Sequence, residues 1–128
     1  MIRRLKRILM VEDNDLDAKL MKDLLERRGY QTLRTCDGLE AINLTFEQLP
    51  DLVLMDLQLP EISGLEVTRR LKGDDRSRHI PIVAVTAFAT RWYKDAVLSS
   101  GCDAYVSKPI SILGFLSMVE SFVPRFPD

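Results

Sequence analysis

Cysteine is nearly absent from this chain: Cys36 and Cys102 are the only two among 128 residues. Two thiols make neither a disulfide framework nor a metal-binding set, and a reducing compartment keeps them reduced. Histidine is scarcer still. His79 stands alone in the charged stretch "LKGDDRSRHIP" (71–81), where a solvated side chain is the reading to prefer over a phosphoryl donor or a metal ligand. Long apolar runs are missing too, since nothing approaches the roughly 20 residues of a membrane-spanning helix. The opening "MIRRLKRILMVED" is too short in apolar residues for a secretory signal and runs straight into acids. No membrane partner is expected, and the cytoplasm is the expected location. Nor is there an excess of one charge: 18 Lys and Arg against 19 Asp and Glu leave a net charge of −1. That balance gives no global pull toward nucleic acid, and the basic cluster at residues 2–7 reads as a solvated lead-in to a first strand. What remains is ordinary for a soluble globular protein, 46% hydrophobic and 29% charged, and long enough for a single domain over residues 1–128.

Five apolar runs of strand length recur: "RILMV" (7–11), "YQTLRT" (30–35), "DLVLM" (51–55), "PIVAVTA" (81–87) and "DAYVS" (103–107). Between them lie stretches with helical spacing. Leu16, Leu20, Leu24 and Leu25 mark the first, Ala41, Leu44 and Leu49 the second, Leu65, Val67 and Leu71 the third, and Ala96, Val97 and Ser100 the fourth. Ile112, Phe115, Leu116, Val119 and Phe122 trace a closing helix. Helix punctuation agrees, with Asn14 or Asp15, Asp37 and Ser63 as N-caps and Gly29 and Gly101 as stops. The alternation argues for an α/β fold with helices on both faces of a sheet. Runs such as "ILMV" and "VLM" lack alternation, as parallel strands buried on both faces do.

In an open parallel sheet, ligands bind beyond the carboxyl ends of the strands, near the point where strand order reverses. The residues there are Glu12 and Asp13 after the first strand, Asp56 after the third, Thr86 after the fourth and Lys108 after the fifth. Two like charges about 4 Å apart repel by roughly 4 kcal/mol at an effective dielectric near 20, so three carboxylates need more cation than one lysine supplies. Mg2+, a hard ion that takes oxygen ligands, keeps waters and is usually held together with phosphate, suits such a site. Lysine and threonine then remain for phosphoryl oxygens, and a carboxylate can serve as nucleophile. Neither a G-x-x-x-x-G-K-[ST] loop nor a G-x-G-x-x-G turn is present, so nothing cradles a nucleotide and the phosphoryl donor is external. Physical reasoning alone leaves Asp13 and Asp56 open as the nucleophile.

Glu12-Asp13, Asp56, Thr86 and the Lys108-Pro109 pair, in this order and spacing, resemble the receiver domain of two-component response regulators over essentially the whole chain. "MVEDNDLDAKLMKDLLERRGY", "DLVLMDLQLPEISGLEV", "PIVAVTAFA" and "GCDAYVSKPIS" are similar to stand-alone receivers of the DivK type, which carry no output domain. The resemblance implies a five-stranded parallel sheet of order 2-1-3-4-5, doubly wound with five helices, the flavodoxin-like receiver fold. It also implies that Asp56 accepts a phosphoryl group from a sensor histidine kinase or a histidine phosphotransfer protein. Asp13, Asp56 and the Gln58 carbonyl would hold Mg2+, with Glu12 acting through water. Lys108, joined to Pro109 by a cis bond, would pair with the phosphoryl oxygens; Thr86 would swing to them and Tyr105 would turn inward behind it. The output would be a changed face over residues 89–108, offered to a downstream kinase, another effector or a second copy of the chain. Such a module is a switch, catalysing only its own phosphorylation and slow dephosphorylation.

"ATRWYKDAV" (89–97) departs from the family pattern, because Trp92 and Tyr93 stand where small or polar residues are expected. They read either as core packing or as an exposed anchor for a partner. Phe88 reads either as a cover over the acyl phosphate or as packing. A haloacid-dehalogenase-type phosphohydrolase would need a second acid two residues after its nucleophile, and Gln58 stands there. A pseudo-receiver that binds without phosphorylation is opposed by the complete set Asp13, Asp56, Thr86 and Lys108. The ending "VPRFPD" fits both a natural stop and a receiver cut from a longer transcription factor.

Overall fold

The computed structural model describes residues 5–87 and 91–125, with the backbone alone at Arg91 and Trp92. Strands β1 (Arg7–Val11), β2 (Gln31–Thr35), β3 (Leu52–Asp56), β4 (Ile82–Thr86) and β5 (Ala104–Ser107) alternate with helices α1 (Asp15–Arg27), α2 (Gly38–Gln48), α3 (Gly64–Lys72), α4 (Arg91–Ser99) and α5 (Ile112–Phe122). The sheet is parallel, in the order β2-β1-β3-β4-β5 expected from the family resemblance. The order reverses at β1, which lies between β2 and β3, so the carboxyl ends of β1 and β3 flank the switch point.

Side chains alternate across a strand, and both faces are apolar here. Ile8, Met10, Leu52, Leu54, Val83 and Val85 point to one face, where they pack with Met21 and Leu25 of α1 and Phe115 and Val119 of α5. Leu9, Val11, Val53, Met55, Ile82 and Ala84 point to the other, against Ala41, Val67, Leu71 and Val97 of α2, α3 and α4. Complete burial of each Val, Leu or Ile contributes about 1.5–3 kcal/mol, so the three central strands anchor the molecule. Helix starts follow the expected chemistry: Asn14, Asp37 and Ser63 each accept a backbone N–H of the first turn. Ser111 does the same for α5, a cap absent from the sequence reading. Gly29 and Gly101 adopt φ values of +90° and +104° just beyond α1 and α4, as helix stops do.

Several expected core positions are not core. Leu16 is 79% exposed, and α1 buries Ala18, Met21 and Leu25 instead. A strict four-residue repeat drifts around a helix of 3.6 residues per turn, so Leu16 faces away from the buried stripe while Leu24 packs at its edge. Leu49 is no helix-face residue; it closes α2 in the left-handed region at φ 44° and is half-exposed. Ile112, in the first turn of α5, is also half-exposed. Tyr93 is partly buried against the α2–α3–α4 core, which favours the packing reading for it. Phe88 and the side chain of Trp92 lie outside the described residues.

Lys72, at the end of α3, joins that helix to the β4–β5 edge. Its ammonium lies 2.8 Å from Asp103 Oδ2 and donates to the Ile80 carbonyl at 2.8 Å and the Arg78 carbonyl at 3.3 Å. Asp103 Oδ2 also accepts the Ile82 N–H at 2.8 Å.

Candidate phosphoryl-acceptor site

Hydrogen bonding and close packing fix the strand ends before any side-chain chemistry begins. The Glu12 N–H donates to the Thr35 carbonyl at 3.0 Å, and Arg34 grips the Glu12 carbonyl with Nη2 at 2.9 Å. On the far side, the Lys108 N–H donates to the Thr86 carbonyl at 2.9 Å, and the Lys108–Pro109 bond is cis. Gly64 starts α3 directly against β3: a Cβ there would collide with the Asp56 carbonyl oxygen and lie 2.8 Å from Leu57 Cα. Only glycine allows that approach.

Asp13, Asp17, Asp56, Gln58 and Lys108 line one open pocket of about 650 Å³ at this edge. Asp56 is buried, and its Oδ1 accepts the Gln58 N–H at 3.0 Å. Its Oδ2 faces the Lys108 ammonium at 3.4 Å. Glu12 is only 1% exposed. Its Oε2 accepts from the Asn14 N–H at 3.1 Å and from Lys108 Nζ at 3.0 Å, while Oε1 lies 2.9 Å from the ammonium outside hydrogen-bonding geometry. Asp17 reaches the same ammonium at 3.1 Å. One cation therefore serves three carboxylates, with Asp13 exposed at the rim.

The electrostatics follow from that crowding. Burial, then the neighbouring Asp56 carboxylate, pushes the Glu12 carboxyl up from 4.5 to about 7, against the pull of Lys108 and the Asn14 N–H. Burial works against the Lys108 ammonium, but the facing Glu12 and Asp17 carboxylates prevail and its pKa is raised overall. Thr86 is fully buried. Tyr105 packs against the α2–α3–α4 core with Lys94 5.6 Å from its ring centre, and its buried hydroxyl makes no hydrogen bond among the described residues.

Every candidate site residue from the sequence therefore falls on this edge or just behind it. Two details differ from simple expectation. Glu12 is turned to Lys108 and the Asn14 N–H, so it stands behind the pocket rather than in it. Asp17 and Arg34 belong to the edge although the sequence reading passed over them. Asp17 lies in the first turn of α1, two residues inside the helix from Asp15, and no motif in the sequence singles it out. Among the described residues, no three His, Cys, Asp or Glu side chains form a ready-made metal cage. Asp13, Asp56 and Gln58 instead offer a sparse oxygen donor set with excess negative charge, which fits an ion that retains waters, as Mg2+ does.

Comparison with known proteins agrees with this architecture. The family model for the response regulator receiver domain matches residues 8–120. The polar-differentiation response regulator DivK of Brucella anthropi is 53% identical over 118 residues, covering 92% of this chain and 96% of the relative; the Brucella ovis protein is 52% identical over the same shares. Among solved structures, a response regulator from Chloroflexus aurantiacus superposes with a TM-score of 0.90 at 27% identity, covering 95% of this chain and 100% of that one. The receiver domain of the sensor histidine kinase PA1611 from Pseudomonas aeruginosa, with a magnesium ion coordinated in its active site cleft, gives 0.86 at 28% identity, covering 93% and 98%. With the family model spanning residues 8–120 and the five-stranded order shared with the solved receivers, the chain belongs to the response regulator receiver domains of two-component signalling and is DivK-like among them.

Proposed function

We propose that this chain acts as a single-domain response regulator that takes a phosphoryl group onto Asp56. The donor is a phosphohistidine on a sensor histidine kinase or a histidine phosphotransfer protein. The observation that carries the reading is the pairing of the buried Asp56 carboxylate with the Lys108 ammonium, 3.4 Å apart at the floor of an open, acid-lined pocket. In the transfer, an Asp56 carboxylate oxygen forms a bond to phosphorus as the phosphorus–nitrogen bond breaks. The imidazole leaves with the bonding pair and is protonated from solvent. Phosphoryl transfer asks mainly for alignment and charge neutralisation, and Lys108 offers its ammonium to the equatorial oxygens.

Asp13, Asp56 and the Gln58 carbonyl would hold Mg2+, with Glu12 acting through water; the ion would neutralise charge on the transferring group. Thr86 and Tyr105 form the proposed switch. The phosphoryl must interact better with one arrangement of that pair than with another, which changes the face over residues 89–108. That face would engage a downstream kinase, another effector or a second copy of the chain, in the cytoplasm. Polar differentiation, the process named for the Brucella relatives, is the proposed output.

Intact mass after incubation with acetyl phosphate, with and without Mg2+, tests this. Wild type gains one Mg2+-dependent phosphoryl mass and Asp56→Asn gains none. A wild type that gains nothing restores the pseudo-receiver reading.

A further inference from the structure

The Lys108 ammonium has three N–H donors, and three carboxylates surround it: Glu12 at 2.9 Å, Asp17 at 3.1 Å and Asp56 at 3.4 Å. The longest of these contacts is the one to the proposed acceptor. Glu12 and Asp17 together draw the ammonium away from Asp56. A phosphoryl group on Asp56 brings further anionic oxygens, and drawing the ammonium closer to them than its present 3.4 Å from Asp56 loosens its hold on Glu12 or Asp17.

Glu12 and Asp17 differ in what release would mean. Glu12 is 1% exposed, and stripping its counter-charge would leave a buried anion. Asp17 is 31% exposed and sits in the first turn of α1, where water and the amino end of the helix support a carboxylate on their own. No partner for its side chain other than Lys108 occurs among the described residues. Its neighbour Asp15 shares the turn and the pocket rim but points elsewhere, to Arg34 at 2.9 Å, and is 91% exposed.

We propose that Asp17 is a positioning residue, a latch that holds the Lys108 ammonium back in the unmodified protein and sets how readily Asp56 accepts a phosphoryl group. The inference rests on the reading of Asp56 as phospho-acceptor. Asp17 touches neither the reacting atoms nor the donor; it acts through Lys108. When a phosphoryl dianion forms on Asp56, the ammonium moves to it and the Asp17 carboxylate turns to water.

The test uses beryllofluoride, a mimic of the acyl phosphate, titrated calorimetrically at saturating Mg2+ into wild type, Asp17→Asn, Asp15→Asn, Lys108→Gln and the Asp17→Asn/Lys108→Gln double variant. Removing the latch should tighten binding by about 3- to 10-fold, the range of one partly exposed charge-assisted contact. Asp15→Asn removes an equal charge from the same rim and should stay within about twofold of wild type, since it breaks no contact with Lys108. In the Lys108→Gln background, Asp17→Asn should have no further effect, which a purely structural role in α1 would not produce. Three results overturn the latch: binding by Asp17→Asn no tighter than wild type, an equal gain from Asp15→Asn, or a gain that survives loss of Lys108. If wild type neither binds beryllofluoride nor gains phosphoryl mass, the acceptor reading falls and the latch falls with it. A wild type that binds while Asp17→Asn merely matches it overturns the latch alone.

Discussion

Two lysines of nearly equal burial, 17% and 14% exposed, anchor opposite sides of this fold, and they are surrounded very differently. Lys72 meets one carboxylate, Asp103, and two backbone carbonyls, so its ammonium is satisfied and its charge is balanced. Lys108 meets Glu12, Asp17 and Asp56, so its surroundings carry more negative charge than it can cancel. The first arrangement is finished and ties α3 to the β4–β5 edge. The second leaves room for a further cation, and the Glu12 carboxyl beside it is pushed up to about 7, by burial first and then by Asp56. Charge imbalance around a buried lysine, rather than the lysine's own burial or the number of its contacts, is what separates the candidate site from the scaffold.

The comparison breaks most visibly at Lys108. Lys108→Ala should slow phosphoryl uptake from acetyl phosphate by about 100-fold or more, because a donor aimed at developing charge is worth roughly 3–4 kcal/mol. Lys72→Met should leave the uptake rate within about twofold, since its ammonium touches none of the transferring atoms. A time course of intact mass reads both. Comparable losses from the two would erase the distinction.

A second measurement sharpens the contrast through pH. Glu12 binds its proton more tightly in the folded chain than at its ordinary value of 4.5, with the folded value near 7. The folded state therefore holds more protons across that window, and stability is full below about pH 4.5 and declines as pH rises through 7. In chelator-treated protein the decline should be on the order of 2–3 kcal/mol, read from urea midpoints at intervals between pH 5 and 8. Glu12→Gln should flatten it. A wild-type profile flat across this interval would mean that the three carboxylates are better compensated than the geometry implies.

The smallest effect belongs to the balanced lysine. Lys72→Met leaves Asp103 without its cation but with the Ile82 N–H, so the loss should be about 2 kcal/mol, below the range for a fully buried pair because Asp103 is 36% exposed. Chemical denaturation of the variant checks this.

Much of the edge was legible from residue types alone, because parallel strands buried on both faces announce themselves as unbroken apolar runs. The polar residue ending each run then falls on one rim, which brought Glu12, Asp13, Asp56, Thr86 and Lys108 together. The choice of Asp56 over Asp13 came from family resemblance and not from periodicity, since both acids end a strand. Asp17 escaped because its contact with Lys108 depends on how the first turn of α1 sits against the segment after β5, a tertiary fact that spacing does not encode. Leu16 was misread for a related reason: an apolar residue next to a helix cap satisfies the pattern whether or not the helix turns it inward.

Gly64 carries a further mechanical consequence. With α3 seated directly on the Asp56 carbonyl, the backbone beneath that carboxylate has an anvil behind it and no room to recoil. A displacement at the carboxylate would have its room to the side, toward Thr86 of β4, Tyr105 of β5 and Lys108 just beyond β5. One missing methyl group thus lets a helix back the carboxyl end of β3, while the carboxyl ends of β4 and β5 are the directions in which the proposed switch would act.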